Sequence, residues 1–372
     1  MNAANDLQPF AAPNVNDMEI TGSTADVNIV LEWQQAQCSQ CGSPPWVGTR
    51  RYFITKDTDY STVHSQVVQD LGSSVDTGNW QELQSFIQWG QSKYPADHYA
   101  LVLWDHGSGW LNFRGARKPL PSTPRSVSFN YATGTEIRTW ELPNALAVTP
   151  KMDLIAFDAS LLQQLEVDYE IRNSTSFIVG SEESPPGRGY IYNTFLGDLT
   201  ANPAMTPQQF GSQIVTRTIN DYAQFDSDPT DLSILTQSEI DTSKLQNLAD
   251  KVNAFAAALI GHKTDAANAE AAARTNAKNY GAAEGYADYK DLWDYADRIK
   301  NGGVPADLAQ AAANVQTAIS SAVLVEGHNS AEAGSHGITI DVPTPSAFVP
   351  SYANLAFAKS TQWPAWIQSQ TK

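Results

Sequence analysis

At 372 residues the chain suits one large domain or about two ordinary ones, and 42% hydrophobic with 10% aromatic residues excludes a disordered or coiled-coil protein. Lys and Arg total 23 against 40 Asp and Glu, a formal net charge of −17, which argues against a cationic surface for nucleic acid or anionic membrane. No stretch approaches the roughly 18 consecutive apolar residues of a membrane span, and no charged-then-apolar signal pattern opens the sequence.

The apolar run Asp26 to Trp33 reads as a first strand. After it come the only two cysteines, Cys38 and Cys41, in a Gln, Ser, Gly and Pro-rich stretch. A zinc site needs about four ligands and no second pair exists, so a local loop disulfide or two idle thiols is the expectation. Arg51 to Thr55, His98 to Trp104, Asp153 to Phe157 and Ser176 to Gly180 read as further strands, several nearly continuous in apolar residues, as strands covered on both faces are. Between them, the apolar spacing predicts helices over Trp80 to Ser92 and Leu161 to Arg172. This alternation predicts an α/β fold, a parallel sheet with helices on both faces and ligands at the carboxyl ends of the strands. Downstream, helices are predicted over Pro207 to Tyr222, Thr242 to Leu259, Asp291 to Ile299, Pro305 to Val323 and Trp363 to Gln370. Strands are expected near Leu232 to Leu235 and over Gly337 to Val342, with an Ala and Asn-rich solvated helix or excursion from His262 to Gly285. No repeat or linker separates independent domains.

Two strand ends carry chemistry. In Leu101 to Trp110 (LVLWDHGSGW) an apolar strand runs into Asp105 and His106, and Gly107, Ser108 and Gly109 form a turn whose amides can approach a substrate closely. In Leu154 to Glu166 (LIAFDASLLQQLE) a buried strand delivers Asp158, Ala159 and Ser160 to the expected start of a helix. A nucleophile would sit well there, beside helix amides, although capping is the ordinary role of Ser160 or Asp158 at such a position.

These two segments, in this order and roughly 50 residues apart, resemble the clostripain family of cysteine peptidases, in the caspase and gingipain clan. The likeness extends to Asn5, Asp6 and Leu7, Tyr94 to Ala96, Val179 to Glu183 with Pro186, Gly187 and Gly189, Asp291 to Ala296, and His336 to Pro343. It implies a caspase-like three-layer αβα sandwich with a mostly parallel sheet and additional C-terminal helices. The expected division is a peptidase core over 1–240, a helical region over 241–330, and a returning strand with a closing helix over 331–372. By the resemblance, His106 matches the catalytic histidine and Asp158 an acid that recognises a basic P1 side chain, while the turn chemistry makes the Gly107 amide a candidate oxyanion donor. Ser160 falls on the nucleophilic cysteine. Family members also carry Trp after the Pro-Gly-x-Gly turn, where this chain has Tyr190.

Serine in place of cysteine matters because a thiol near pKa 8.5 ionises readily, whereas a hydroxyl must lose its proton in step with an aligned base. The resemblance therefore implies an endopeptidase cutting after Arg or Lys that is inactive or nearly so as written. Two other readings stand beside it: a non-catalytic homologue that holds basic peptides, and a serine hydrolase using Ser160 and His106. Glu182 and Glu183 are candidate second acids of the pocket, while Arg188 would oppose such a pocket or answer a glutamate. The loop from Leu111 to Lys151 holds Arg114, Arg117, Lys118, Arg125 and Arg138, candidate self-cleavage sites. His336 competes for the catalytic role by pattern, but its glycine leads into a strand rather than following one. Calcium occurs in the family, yet no EF-hand-like ligand loop is present, and no cofactor or metal site is expected. The expected partner is a peptide or protein with basic residues, met by a monomer. The resemblance also implies a strand before Met1, and an acidic chain with a loop disulfide suits the cell envelope or exterior.

Overall fold

A computed structural model describes residues 1–111 and 127–370. Its strands are β1 (Asn2–Ala3), β2 (Val30–Gln35), β3 (Gly48–Phe53), β4 (Gln66–Gly72), β5 (Ala100–Trp104), β6 (Val127–Asn130), β7 (Thr135–Ile137), β8 (Leu154–Asp158), β9 (Phe177–Gly180), β10 (Thr236–Asp241), β11 (Asn279–Tyr280), β12 (Tyr289–Asp291), β13 (Val323–His328) and β14 (Thr339–Asp341). The principal sheet runs β13-β10-β9-β8-β5, and a second runs β1-β2-β3-β4. Residues from β1, β2 and β5, including Asn2, Glu32, Leu101 and Leu103, line one common cavity.

The principal sheet is parallel where β5, β8 and β9 pair and antiparallel where β10 and β13 are added. Strand β8 is buried along its whole length, so both of its faces must be covered. Ile155 and Phe157 pack with the helices Trp80–Lys93, Leu245–Gly261 and Ala306–Ala322, while Leu154 and Ala156 pack with Gln8–Thr21, Tyr192–Ala201 and Pro207–Asp221. This is the expected three-layer arrangement, and one unbroken apolar cluster joins β8 to the C-terminal helices.

Local signals explain several helix starts. Asn79 accepts a hydrogen bond from the Gln81 amide to begin the helix Trp80–Lys93. Pro207 opens the next long helix behind a reciprocal Thr206 and Gln209 capping box. Three expectations shift. The helix expected from Leu161 begins at Leu165, because Leu161 turns into the left-handed region (φ 63°). There the Leu161 and Gln163 amides donate to the Glu183 and Ser181 carbonyls, and Gln163 accepts from Thr339, so these backbone groups are satisfied across the chain rather than within a helix. Ser160 therefore does not head a helix, and the dipole expected behind it is absent. The strand expected at Leu232 to Leu235 lies later, at β10, after a short helix Pro229–Leu232 capped by Asp228. The helix expected to run through Val323 stops at Ala322, where β13 begins.

Candidate active site

Parallel pairing sets the site. Trp104 of β5 lies opposite Asp158 of β8, so both strands end at the same edge, and the Asp105 amide continues the ladder by donating to the Asp158 carbonyl at 3.3 Å. Residues 105–110 and 159–164 consequently leave the sheet side by side. Gly107 meets the Ser160 backbone so closely that a β-carbon on residue 107 would lie 2.1 Å from the Ser160 carbonyl oxygen and 2.8 Å from its amide nitrogen. Only glycine allows that approach. The turn is fixed beyond this point: the Trp110 amide donates to Gln164 Oε1, the Trp110 indole to Asp341, and the Tyr289 hydroxyl to the Ser108 carbonyl.

His106 is 12% exposed, and its Nε2 lies 2.6 Å from Asp6 Oδ1. The Tyr131 ring stacks over the imidazole at 6.2 Å. Beneath, the Asp105 carboxylate accepts from the His106 amide and from the Asn5 side chain, both at 2.6 Å. Complete burial pushes the Asp105 carboxyl up to about 7, against the opposing attraction of His106 and its hydrogen bonds. Asp6, Asp105 and Tyr131 surround His106, and no local signal in the sequence joins Asp6 or Tyr131 to it. Asp6 belongs to the Asn5 to Leu7 stretch, and nothing local joins it to a histidine 100 residues away.

Asp158 faces inward at 5% exposure. Its two oxygens accept from the Tyr190 amide (3.0 Å) and the Tyr192 hydroxyl (2.7 Å), neither of them cationic. Burial drives its pKa up to about 7, and the two hydrogen bonds only partly oppose the rise. Gly189, at φ 67°, passes directly over this carboxylate, where a β-carbon would lie 2.5 Å from Oδ1.

The two glutamates diverge. Glu183 accepts from the Ser184 and Gly281 amides, its carbonyl accepts from Leu161, and burial lifts its carboxyl to about 7. Glu182 turns away, accepting from the Gly337 amide, and burial followed by repulsion from Asp291 holds its pKa well above the ordinary value. Arg188 answers neither glutamate: it bridges Asp17 (3.3 Å) and the Phe225 carbonyl (3.2 Å). His336 belongs to a separate group, stacked 4.2 Å from Trp293 and 3.0 Å from Asp291. Of the basic loop residues, Arg138 lies beside Glu136 and against the Trp140 ring, whereas Arg114, Arg117, Lys118 and Arg125 fall outside the described residues.

Cys38 and Cys41 form a disulfide, which packs against Ala4, Ala36 and Tyr131 behind the histidine. Among the described residues, no group of three or more His, Cys, Asp or Glu is arranged to hold a metal ion. No helix among them is long and apolar enough to cross a membrane.

Similar proteins share this architecture. The structure superimposes with a TM-score of 0.69 on a secreted C11 cysteine protease from Bacteroides thetaiotaomicron in complex with an irreversible peptide inhibitor, at 21% identity over 98% of each chain. An inactive zymogen C11 protease from Parabacteroides distasonis gives 0.66 at 19% identity, over 95% of this chain and 92% of the other. Clostripain from Hathewaya histolytica is 27% identical over 135 residues, 33% of this chain but only 25% of that relative's length. The sequence model of the clostripain family matches residues 1–369. Coverage of nearly the whole chain by that model, on the fold its structural neighbours share, assigns this protein to the clostripain family of cysteine peptidases.

Proposed function

We propose that the chain is a clostripain-type endopeptidase scaffold directed at basic residues, in which Ser160 takes the nucleophile's place and leaves turnover very low. The observation that carries the reading is the packing of Gly107 onto the Ser160 backbone at the edge where His106 also emerges. A peptide carbonyl entering that edge would meet the Ser160 hydroxyl, the imidazole and the amides of the 107–109 turn together. In the reaction, the nucleophile's proton passes to the imidazole as its oxygen or sulfur bonds to the carbonyl carbon. The C–N bond then breaks, the imidazole gives that proton to the departing amine, and water releases the acyl group.

Replacing Ser160 by Cys tests the reading. Ser160→Cys should raise kcat/KM on Arg or Lys peptides by about a thousandfold, since a thiolate forms far more easily than an alkoxide. No gain, with basic peptides still bound, would favour a peptide-holding protein instead. Serine-dependent turnover lost in His106→Ala would favour a serine hydrolase, and the Asp6 to His106 hydrogen bond is the observation that speaks for it.

Preference for a basic P1 residue is assigned to Asp158, a carboxylate beneath Gly189 with no cation among its hydrogen-bond partners, whose ionisation a substrate guanidinium or ammonium held at the strand edge would favour. In the Ser160→Cys background, Asp158→Asn should lower kcat/KM on Arg peptides by about tenfold to a hundredfold and leave peptides with neutral P1 residues little changed. Equal loss on both peptide types would remove Asp158 from the pocket. The disulfide and acidic surface support action outside the cytoplasm.

A further inference from the structure

We propose that Asp6 is the positioning residue of His106, holding the imidazole by Nε2 so that Nδ1 is the nitrogen free to exchange protons with nucleophile and leaving group. This rests on the reading of His106 as the acid–base residue of the site.

Three observations support it. The contact itself is short, 2.6 Å from Nε2 to Oδ1, and joins an imidazole that is 12% exposed to a carboxylate that is 41% exposed. An ionised carboxylate only accepts hydrogen bonds, so the proton of a neutral imidazole is fixed on Nε2 and the lone pair on Nδ1. Burial works to raise the Asp6 carboxyl, yet the hydrogen bond and attraction of His106, with a further hydrogen bond from Tyr131, outweigh it and hold the pKa below the ordinary value. Asp6 is therefore in its accepting form across the neutral range.

The backbone carrying Asp6 is also anchored to the segment carrying His106. Asn5 donates to Asp105 Oδ1 (2.6 Å) and to the Phe129 carbonyl (2.9 Å), and the Tyr131 amide donates to the Ala4 carbonyl (2.8 Å). Asp105 Oδ1 in turn accepts from the His106 amide. One buried carboxylate, Asp105, thus ties Asn5, the residue before Asp6, to the backbone of His106. A surface ion pair free to wander would need no such mounting, and exposed pairs of that kind contribute little. The effect of a fixed partner on a catalytic imidazole is orientation and tautomer choice.

The test has two arms. Two-bond proton to nitrogen-15 correlation spectra of the unsubstituted chain at pH 8.5 read the His106 tautomer without any turnover. The expected result is a single Nε2–H form that becomes a tautomer mixture in Asp6→Ala and stays largely Nε2–H in Asp6→Glu. A Nδ1–H form in the unsubstituted chain, or an unchanged spectrum in Asp6→Ala, overturns the proposal. In the Ser160→Cys enzyme, Asp6→Ala should lower kcat by about a hundredfold with KM nearly unchanged, and Asp6→Glu should recover part of the loss. An unaltered kcat overturns the proposal, as does a loss carried wholly by KM. Absence of peptidase activity in Ser160→Cys itself would sink the peptidase reading, while the spectra would still decide the role of Asp6.

Discussion

Gly107→Ala should abolish measurable turnover in the Ser160→Cys chain, a loss of more than about a thousandfold, and should also lower the melting temperature. The atoms a methyl group would meet are all backbone: the Ser160 carbonyl oxygen at 2.1 Å, its amide nitrogen at 2.8 Å and its carbonyl carbon at 3.0 Å. None of them can swing aside as a side chain would. Relief requires separating the 105–110 and 159–164 segments, which are joined by the Asp105 to Asp158 hydrogen bond and continue strands that are in register. Overpacking of this kind costs about 1–3 kcal/mol or more, and a displacement near 1 Å at a reacting centre costs about a hundredfold in rate. Gly134→Ala provides the comparison: its φ is positive, at 73°, and nothing lies within 4 Å of the added carbon, so it strains the chain without touching the site. Circular dichroism melts and peptide kinetics on the two variants separate the effects. If Gly107→Ala retains even a tenth of the activity, the close approach is not what aligns the nucleophile.

Both sides of that contact were legible in the sequence, because LVLW and LIAF are short apolar runs of the kind buried strands use, and each ends in chemistry-bearing residues. Other parts were hidden for a physical reason. The helix Gln8–Thr21 buries Ala11, Val15 and Met18, but it also buries Asn14, Asn16, Asp17 and Glu19, and these polar residues blur its apolar face in the sequence. Those polar groups are satisfied from distant segments: Asn14 accepts from the Trp104 indole and donates to the Arg188 carbonyl, and Asp17 pairs with Arg188. Strand β10 is similar, since Thr236, Gln237, Ser238 and Glu239 are buried yet polar, and alternation marked the short apolar stretch before them instead. The spacing of LLQQLEVDYEI predicts the first turn of a helix at Ser160, yet the Leu161 and Gln163 amides pair with the chain after β9. Asp6 shows the same limit from another side. A side-chain partnership between residues far apart has no local signature, and it follows only from the sheet that brings the Asn5 and Asp105 segments together.

The chain should be most stable in mild acid, and its melting temperature should fall by on the order of ten degrees between pH 5 and pH 8. Asp105, Asp158 and Glu166 are fully buried, and burial drives each of their carboxyl groups up to about 7. Asp168 and Asp341 are driven well above the ordinary range, by burial first and then by repulsion from Glu166. In the unfolded chain these groups release their protons near pH 4, so between about pH 4 and 7 the folded state holds protons that the unfolded state has lost. Stability therefore declines as pH rises through that window and levels off once the folded carboxyls have also ionised. Asp6 acts in the opposite sense: its depressed pKa contributes stability that disappears only as pH falls below the ordinary carboxylate range. The two effects together put the maximum between them. Glu166→Gln is the informative variant, because an uncharged side chain of the same shape can still accept from the Tyr352 hydroxyl and the Asp341 amide that now serve Glu166 Oε1. It should flatten the decline and raise the melting temperature at pH 8 relative to the parent, while changing little at pH 5. A melting temperature that instead climbs from pH 5 to pH 8 would mean that the buried carboxylates around β8 and β14 are charged and matched by cations, and burial would not be what governs their ionisation.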